Sequence, residues 1–174
     1  DTSHDGTTAI TKTGTVKGAD GLILSQSGGS AATVSLGKNG AFEGISGDGV
    51  NLASSQSGVG STIQGYVDPT DGRFGKISGT LSGIEAASNA GSISIQNLNL
   101  VSGDSEAGIY ARTKGGAVAI ENIDSVISKN GIAIDLATRL LDNSGGAKIY
   151  IQNVGILEFE DPDNLGNTIR SANG

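Results

Sequence analysis

The sequence predicts an all-β protein, a parallel β-helix or β-solenoid of about five to six coils. Three observations predict this fold: a short phrase recurs along the chain, glycine is abundant, and large aromatic side chains are scarce. The 174 residues include 29 glycines and only two prolines, without cysteine, methionine or tryptophan. A core that lacks large side chains suits thin layers of stacked strands.

The recurring phrase is a glycine followed by alternating aliphatic and other residues. It begins at five glycines, namely Gly21, Gly49, Gly83, Gly108 and Gly131. A second phrase, of alternating apolar residues followed by an asparagine and one more aliphatic residue, is clearest at residues 93–98, 118–123 and 149–154. A period of roughly 23–34 residues indicates repeats that bury their apolar faces against their neighbours.

The phrases divide the chain into three parts. Residues 1–20 contain a β-branched strand, residues 7–16, that pairs with another copy or caps its own first coil. Residues 21–157 form the solenoid repeats, and residues 158–174 form a partial coil or a C-terminal cap. The spacing of Leu136, Leu140 and Leu141 is compatible with a short helix or with an irregular loop.

The alternation predicts which side chains form the core. Because strand side chains alternate between two faces, Ile95, Ile120 and Ile151 are expected in one buried column. Their neighbours should point the other way: Ser94, Ala119 and Tyr150.

Three asparagines follow the apolar phrases at equivalent positions: Asn97, Asn122 and Asn153. Asparagine tolerates the left-handed conformation and forms hydrogen bonds in turns. Stacked on one another, the three are expected to form a structural ladder of amides, as in cross-β stacks. A site for a polar ligand is the alternative interpretation.

The charge pattern excludes some partners. A net charge of −7, with scattered cations, argues against nucleic acid. No apolar run approaches the roughly 18–20 residues of a transmembrane helix, so no transmembrane segment is expected. The chain begins at Asp1 rather than methionine, which fits a mature secreted product or a cut fragment.

Residues for catalysis are few, and no enzyme or cofactor is expected. His4 is the only histidine, so a serine–histidine triad or a zinc site of histidine and cysteine is not expected. Asp68 and Asp71 flank a proline turn, and a calcium site there is the alternative to a plain surface turn. Asp48, Glu85 and Asp135 are expected on one face, either as a solvated stripe or as the groove of a carbohydrate-active β-helix enzyme.

Two stretches resemble the passenger repeats of bacterial autotransporters. They are residues 107–122, AGIYARTKGGAVAIEN, and residues 83–86, GIEA, followed by residues 91–97, GSISIQN. The resemblance covers residues 80–157 well and residues 20–79 loosely, without the C-terminal barrel of that family. It implies a right-handed parallel β-helix that is exported and acts as a stalk or adhesin.

The resulting expectation is a non-catalytic structural or adhesive β-solenoid, secreted or on a bacterial cell surface. Its expected partners are other copies of itself, flanking solenoid coils, or a host surface or polysaccharide. The first alternative is a filament subunit, joined head to tail by strand addition of its N-terminal segment. The second alternative is the carbohydrate-active enzyme.

Overall fold

The computed structural model describes residues 2–4, 8–26, 31–55, 60–138, 148–159 and 169–173. These ranges contain strands, turns and no helix, so the all-β class is confirmed. No membrane-spanning helix is found among the residues that the structure describes. The strands are β1 (Thr2–His4), β2 (Thr8–Lys12), β3 (Thr15–Gly18), β4 (Leu22–Gln26), β5 (Ala32–Leu36), β6 (Ala41–Gly44), β7 (Val50–Ser54), β8 (Ser61–Gly65), β9 (Val67–Asp68), β10 (Gly72–Arg73), β11 (Lys76–Gly79), β12 (Ile84–Ser88), β13 (Ile93–Gln96), β14 (Leu100–Gly103), β15 (Ala107–Thr113), β16 (Val118–Ser128), β17 (Ile132–Thr138), β18 (Ile149–Phe159) and β19 (Ile169–Asn173).

The strands form two parallel sheets. The seven-stranded sheet has the order β1-β4-β7-β12-β15-β17-β19. The larger sheet contains two strand columns, β2-β5-β8-β13 and β3-β6-β11-β14, which the long strand β16 joins, and β18 pairs with β16. Successive segments of the chain therefore return to the same sheets, an arrangement consistent with a parallel β-solenoid. The hairpin of β9 and β10 is antiparallel and lies outside both sheets.

Equivalent residues form rows across neighbouring strands. In the larger sheet, Ile95 pairs with Ile120, and Ile120 pairs with Ile151. Ile95 and Ile120 are fully buried, whereas Ile151 is half-buried against the core. The neighbouring side chains are more exposed, and Tyr150 is 48% exposed. The alternation therefore places the column where the sequence predicted it.

The register of the fifth glycine phrase was predicted wrongly. Ile109 pairs with Ile134 rather than with Ile132, so Ala133 takes the place of a glycine. The reason is a turn in which the backbone N–H of Gly131 donates to the Ser128 hydroxyl at 2.9 Å. Gly131 is used in that turn, where an added Cβ would overlap the Glu106 carbonyl oxygen.

The helix-like spacing near residue 136 does not produce a helix in the described residues. Residues 132–138 form β17, because Ala133, Leu136 and Thr138 are buried in strand geometry between β15 and β19. Leu140 and Leu141 lie outside the described residues.

The N-terminal segment pairs within its own chain. Residues 8–12 pair with β5 and residues 15–18 pair with β6, both in parallel. The single strand expected over residues 7–16 is two strands, separated at Thr13 and Gly14. Within the chain this segment therefore lies on the first strands of its own sheet, as the capping role requires, and its pairing with another copy stays a prediction.

Candidate functional site

Two corners of the fold are built from different residues. At the first, which we call the glycine corner, the chain passes from the larger sheet to the seven-stranded sheet. It contains the aligned glycines Gly18, Gly44, Gly79 and Gly103. At the second, the hydroxyl corner, the chain leaves the seven-stranded sheet. It contains the aligned residues Gln26, Ser54, Ser88, Thr113 and Thr138, all buried.

Two of the three predicted ladder asparagines are in contact. The Asn122 side-chain amide donates to the Asn97 side-chain oxygen at 3.2 Å. Both residues have left-handed backbones, with φ of 58° at Asn97 and 54° at Asn122. Asn153 lies between residues that pair with Glu121 and Ile123, so its backbone continues the row. Its side chain is outside the described part of the structure.

Asp68 and Asp71 come together in the turn between β9 and β10. The Asp68 carboxylate accepts the backbone N–H groups of Thr70 at 2.8 Å and Asp71 at 3.1 Å, and these bonds lower its pKa. The Lys38 ammonium lies 2.7 Å from the Asp71 carboxylate and 3.8 Å from that of Asp68. The hydrogen bond from Lys38 to Asp71 raises the pKa of Lys38. A calcium ion would have to displace this ammonium, and the contacts instead describe a closed surface turn.

Asp48 and Glu85 meet beside the glycine corner. The Asn51 amide donates to the Asp48 carboxylate at 2.9 Å and to the Glu85 carboxylate at 3.2 Å. Asp48 also accepts the backbone N–H of Ser82 at 3.0 Å. Both oxygens of Asp48 are therefore used in structural contacts between successive levels of the fold.

The pKa of the Glu85 carboxyl is raised above its ordinary value. Burial, followed by its hydrogen bond to Asp48 and the charges of Asp48, Glu106 and Asp20, raises the pKa of Glu85 to about 7. A carboxyl with a raised pKa is a known feature of acid–base sites. The carboxyls of a glycosidase, however, stand at least about 5 Å apart to accommodate the sugar, whereas Glu85 is bonded directly to Asp48.

Asp135, the third carboxylate predicted on this face, contacts neither Asp48 nor Glu85 in the hydrogen bonds described and instead pairs with an arginine. Asp135 lies in the same row as Glu85, with Tyr110 between them. Its carboxylate forms an ion pair with Arg112 at 2.7 Å. Among the described residues, no group of three or more histidine, aspartate or glutamate side chains is arranged to hold a metal ion.

A cleft of about 620 Å³ lies along the hydroxyl corner. The sequence interpretation missed it, although a serine or threonine closes four successive strands of the seven-stranded sheet. Its lining is Ala53, Ser54, Ser55, Ala87, Ser88, Asn89, Arg112, Thr113, Lys114 and Ala137.

Comparison of the chain with protein-family models, with curated proteins and with solved structures found no match. The resemblance to autotransporter passengers therefore stays a prediction from residues 83–97 and 107–122.

Proposed function

We propose that this chain is a non-catalytic β-solenoid of about five to six coils, secreted or on a bacterial cell surface, where it acts as a structural or adhesive element. The observation that carries the proposal is the continuity of its rows. One apolar row runs through Ile10, Val34, Ile63, Ile95, Ile120 and Ile151. Six members of one row support the number of coils.

The use of the polar side chains supports a structural role. The asparagines, the carboxyls beside the glycine corner and most hydroxyls of the hydroxyl corner bond to neighbouring levels or to their own turns. The Asn51 amide donates to the carboxylates of both Asp48 and Glu85, at 2.9 Å and 3.2 Å, so these two carboxyls are used in contacts between successive levels. These contacts favour a non-catalytic structural or adhesive solenoid over the carbohydrate-active enzyme.

Surface location is tested on intact cells of the source organism. Antibodies raised against the purified chain should label unbroken cells, and external protease should remove that signal. Labelling that appears only after the cells are broken would contradict the proposal. Small-angle scattering of the purified chain tests the shape, since stacked strands add about 4.8 Å per coil along one axis.

A filament subunit is the second candidate function, and an open edge favours it. Among the described strands, β2 pairs only with β5, and β3 pairs only with β6. Ile10 and Val16 are only partly buried against the core at this end. An uncovered edge of this kind invites another strand, and repeated head-to-tail contacts would form a fibre.

A charge on this end separates the two candidates. If copies join there, Ile10→Lys should abolish fibres in electron micrographs and the concentration-dependent light scattering. The matched control is Ile23→Lys, on the outer face of β4, where the side chain is already 40% exposed. A parent chain that remains monomeric at high concentration would leave only the stalk or adhesin role.

A further inference from the structure

The tripeptide Lys-Asn-Gly occurs twice in the chain, at residues 38–40 and at residues 129–131. Asparagine followed by glycine is prone to deamidation, because glycine has no Cβ that would hinder its backbone nitrogen from reaching the asparagine side chain. Since both asparagines have the same neighbours in sequence, their reactivities in an unfolded chain should be similar. A difference between their rates in the folded chain would therefore come from the tertiary structure.

Asn130 is exposed, but it is bonded to the preceding coil. Its backbone N–H and its side-chain amide both donate to the Asp104 carbonyl oxygen, each at 3.0 Å. The backbone nitrogen of Gly131, which would have to attack, donates its proton to the Ser128 hydroxyl at 2.9 Å. Gly131 is packed so closely that an added Cβ would overlap the Glu106 carbonyl oxygen. Deamidation of Asn130 would therefore require several of these contacts to break together.

Asn39 lies in an exposed turn between β5 and β6 and is not held in this way. Neither its main chain nor its side chain forms a hydrogen bond among the described residues, which include residues 8–26 and 60–79 of the two adjacent coils. The bond that closes the turn runs from the Gly40 N–H to the Gly37 carbonyl oxygen at 2.8 Å. Opening of this local bond releases the Gly40 nitrogen without separating the strands of the sheet.

Asn39 also lies in the lining of a pocket of about 460 Å³, which extends to the β9–β10 hairpin. The pocket gives water access to the asparagine side chain. Among the cations of the lining, Lys38 and Arg73 are ion-paired, whereas Lys76 is exposed and has no ion pair with the described residues. A positive charge near the turn stabilises the deprotonated backbone nitrogen on which the reaction depends.

We propose that Asn39 is a site of spontaneous deamidation in the folded chain and that the fold protects Asn130. The Gly40 nitrogen loses its proton to a base in the solvent and forms a bond to the side-chain carbonyl carbon of Asn39. The side-chain nitrogen takes up a proton and leaves as ammonia, and a cyclic succinimide remains. Water then opens this ring at either carbonyl, which gives aspartate or isoaspartate. Overall one water is consumed and one ammonia is released, without oxidation or reduction, and the inference is independent of the proposed function.

The test compares the two asparagines in one sample of the purified chain. The folded chain is incubated in mildly alkaline heavy-oxygen water, digested with trypsin in ordinary water and analysed by mass spectrometry, so that the heavy oxygen marks only what formed before digestion. Trypsin places Asn39, Asn130 and Asn173 in separate peptides. The peptide with Asn39 should convert into an aspartate form and an isoaspartate form, at least about tenfold faster than the peptide with Asn130.

The same incubation in denaturant is the control for intrinsic reactivity. Without the fold, the rates at Asn39 and Asn130 should converge, because the hydrogen bonds to Asp104 and Ser128 are lost. Equal rates in the folded chain, or a faster reaction at Asn130, would overturn the proposal. A difference of the same size in denaturant would also overturn it, because the cause would then lie in the local sequence rather than in the fold.

Asn39→Gln assigns the reaction to this residue. Glutamine keeps the amide, but its longer side chain would have to close a larger and less favourable ring, so residue 39 should stay unchanged while the rate at Asn130 stays as in the parent. The side chain is exposed, and circular dichroism confirms that the variant is folded. The tryptic peptide of residues 39–73 also contains Asn51. Conversion of this peptide in the variant would place the reaction at another residue and overturn the proposal.

Ser128→Ala tests why Asn130 is protected. The variant removes the hydroxyl that accepts the Gly131 N–H, so conversion at Asn130 should become at least about threefold faster. Asn39 in the same sample is the internal control, because its rate should not change unless the whole chain unfolds. An unchanged rate at Asn130 in the folded variant would show that the turn at Ser128 does not protect it and would contradict the proposal.

Discussion

The glycine corner and the hydroxyl corner solve the same problem in different ways. Both turn the chain from one sheet to the other. At the glycine corner the backbones come so close that an added Cβ on Gly79 would lie 2.0 Å from the Ser82 carbonyl oxygen. At the hydroxyl corner the space is sufficient for side chains, and they bind the backbone of the turn instead, as Thr113 does. The glycine corner is possible because its residues have no side chain. The hydroxyl corner is stabilised by hydrogen bonds from side chains to the backbone.

The largest expected effect comes from filling the glycine corner. Gly79→Ala forces a Cβ against backbone atoms that cannot rotate away, and we expect the free energy of unfolding to fall by about 3 kcal/mol, at the upper end for overpacking. Urea denaturation measures it. Gly14→Ala is the control, because nothing lies within 4 Å of its added Cβ, and it should stabilise by about 0.5 kcal/mol. Equal effects of the two variants would contradict the steric argument.

A third corner, at the paired asparagines, tests backbone conformation alone. Asn122→Val should lower the free energy of unfolding by about 2 kcal/mol, because a β-branched residue is strained at a φ of 54° and the bond to Asn97 is lost. Asn122→Gly keeps the left-handed backbone and loses only the side-chain bond, so it should cost less. Thermal midpoints of the two variants measure this difference. A valine variant as stable as the glycine variant would show that the left-handed backbone at residue 122 does not disfavour a β-branched side chain.

At the hydroxyl corner, substitutions should lower stability most where the side-chain hydroxyl bonds to the backbone. Thr113→Val keeps the shape but leaves the Gly116 N–H and the Gly91 carbonyl oxygen without this partner, at a cost of about 1–2 kcal/mol. Ser54→Ala removes a hydroxyl of the same row that makes no hydrogen bond with the described residues, so in the same denaturation series Thr113→Val should be the less stable of the two variants. If both variants lose the same stability, the Thr113 hydroxyl contributes no more through its hydrogen bonds than the Ser54 hydroxyl does.

The smallest expected effect is the pH dependence of stability from Glu85. Its pKa is about 7 in the folded chain, against the model-peptide value of 4.5 for the unfolded chain. Between these values the folded chain binds more protons, so this group makes stability fall as the pH rises from about 4.5 to about 7. The fall should be smaller in Glu85→Gln than in the parent. Thermal midpoints at pH 5 and pH 8 measure it.

The control for this experiment is Glu43→Gln, whose carboxylate faces Lys17 at 2.8 Å on the other sheet. It should keep the fall in stability that the parent shows between the two pH values. A Glu85→Gln variant with the same pH dependence as the parent would mean that burial and the neighbouring carboxyls do not raise the pKa of Glu85 in the folded chain.

Some contacts of the candidate site could be predicted from the sequence, and others could not. The turn at Asp68 and Asp71 and the contact of Asn97 with Asn122 follow from local spacing. The Lys38 ammonium that binds both carboxylates is 33 residues from Asp71 along the chain, so no local pattern could predict it. The cleft was missed for a similar reason: its lining comes from the ends of several strands, and the repeated serine or threonine was not recognised as one row.

The sequence by itself determined the class of fold and the identity of the core, because strand alternation and recurring glycines are local patterns that any stacked arrangement must respect. The tertiary structure decided the register of β17, the pairing of residues 8–18 within their own chain, and the contact between Glu85 and Asp48. Each depends on where backbones from distant parts of the sequence approach one another. A shift of two residues keeps every side chain on its face, so the alternation could not distinguish Ile132 from Ile134; the turn at Ser128 and Gly131 made that choice.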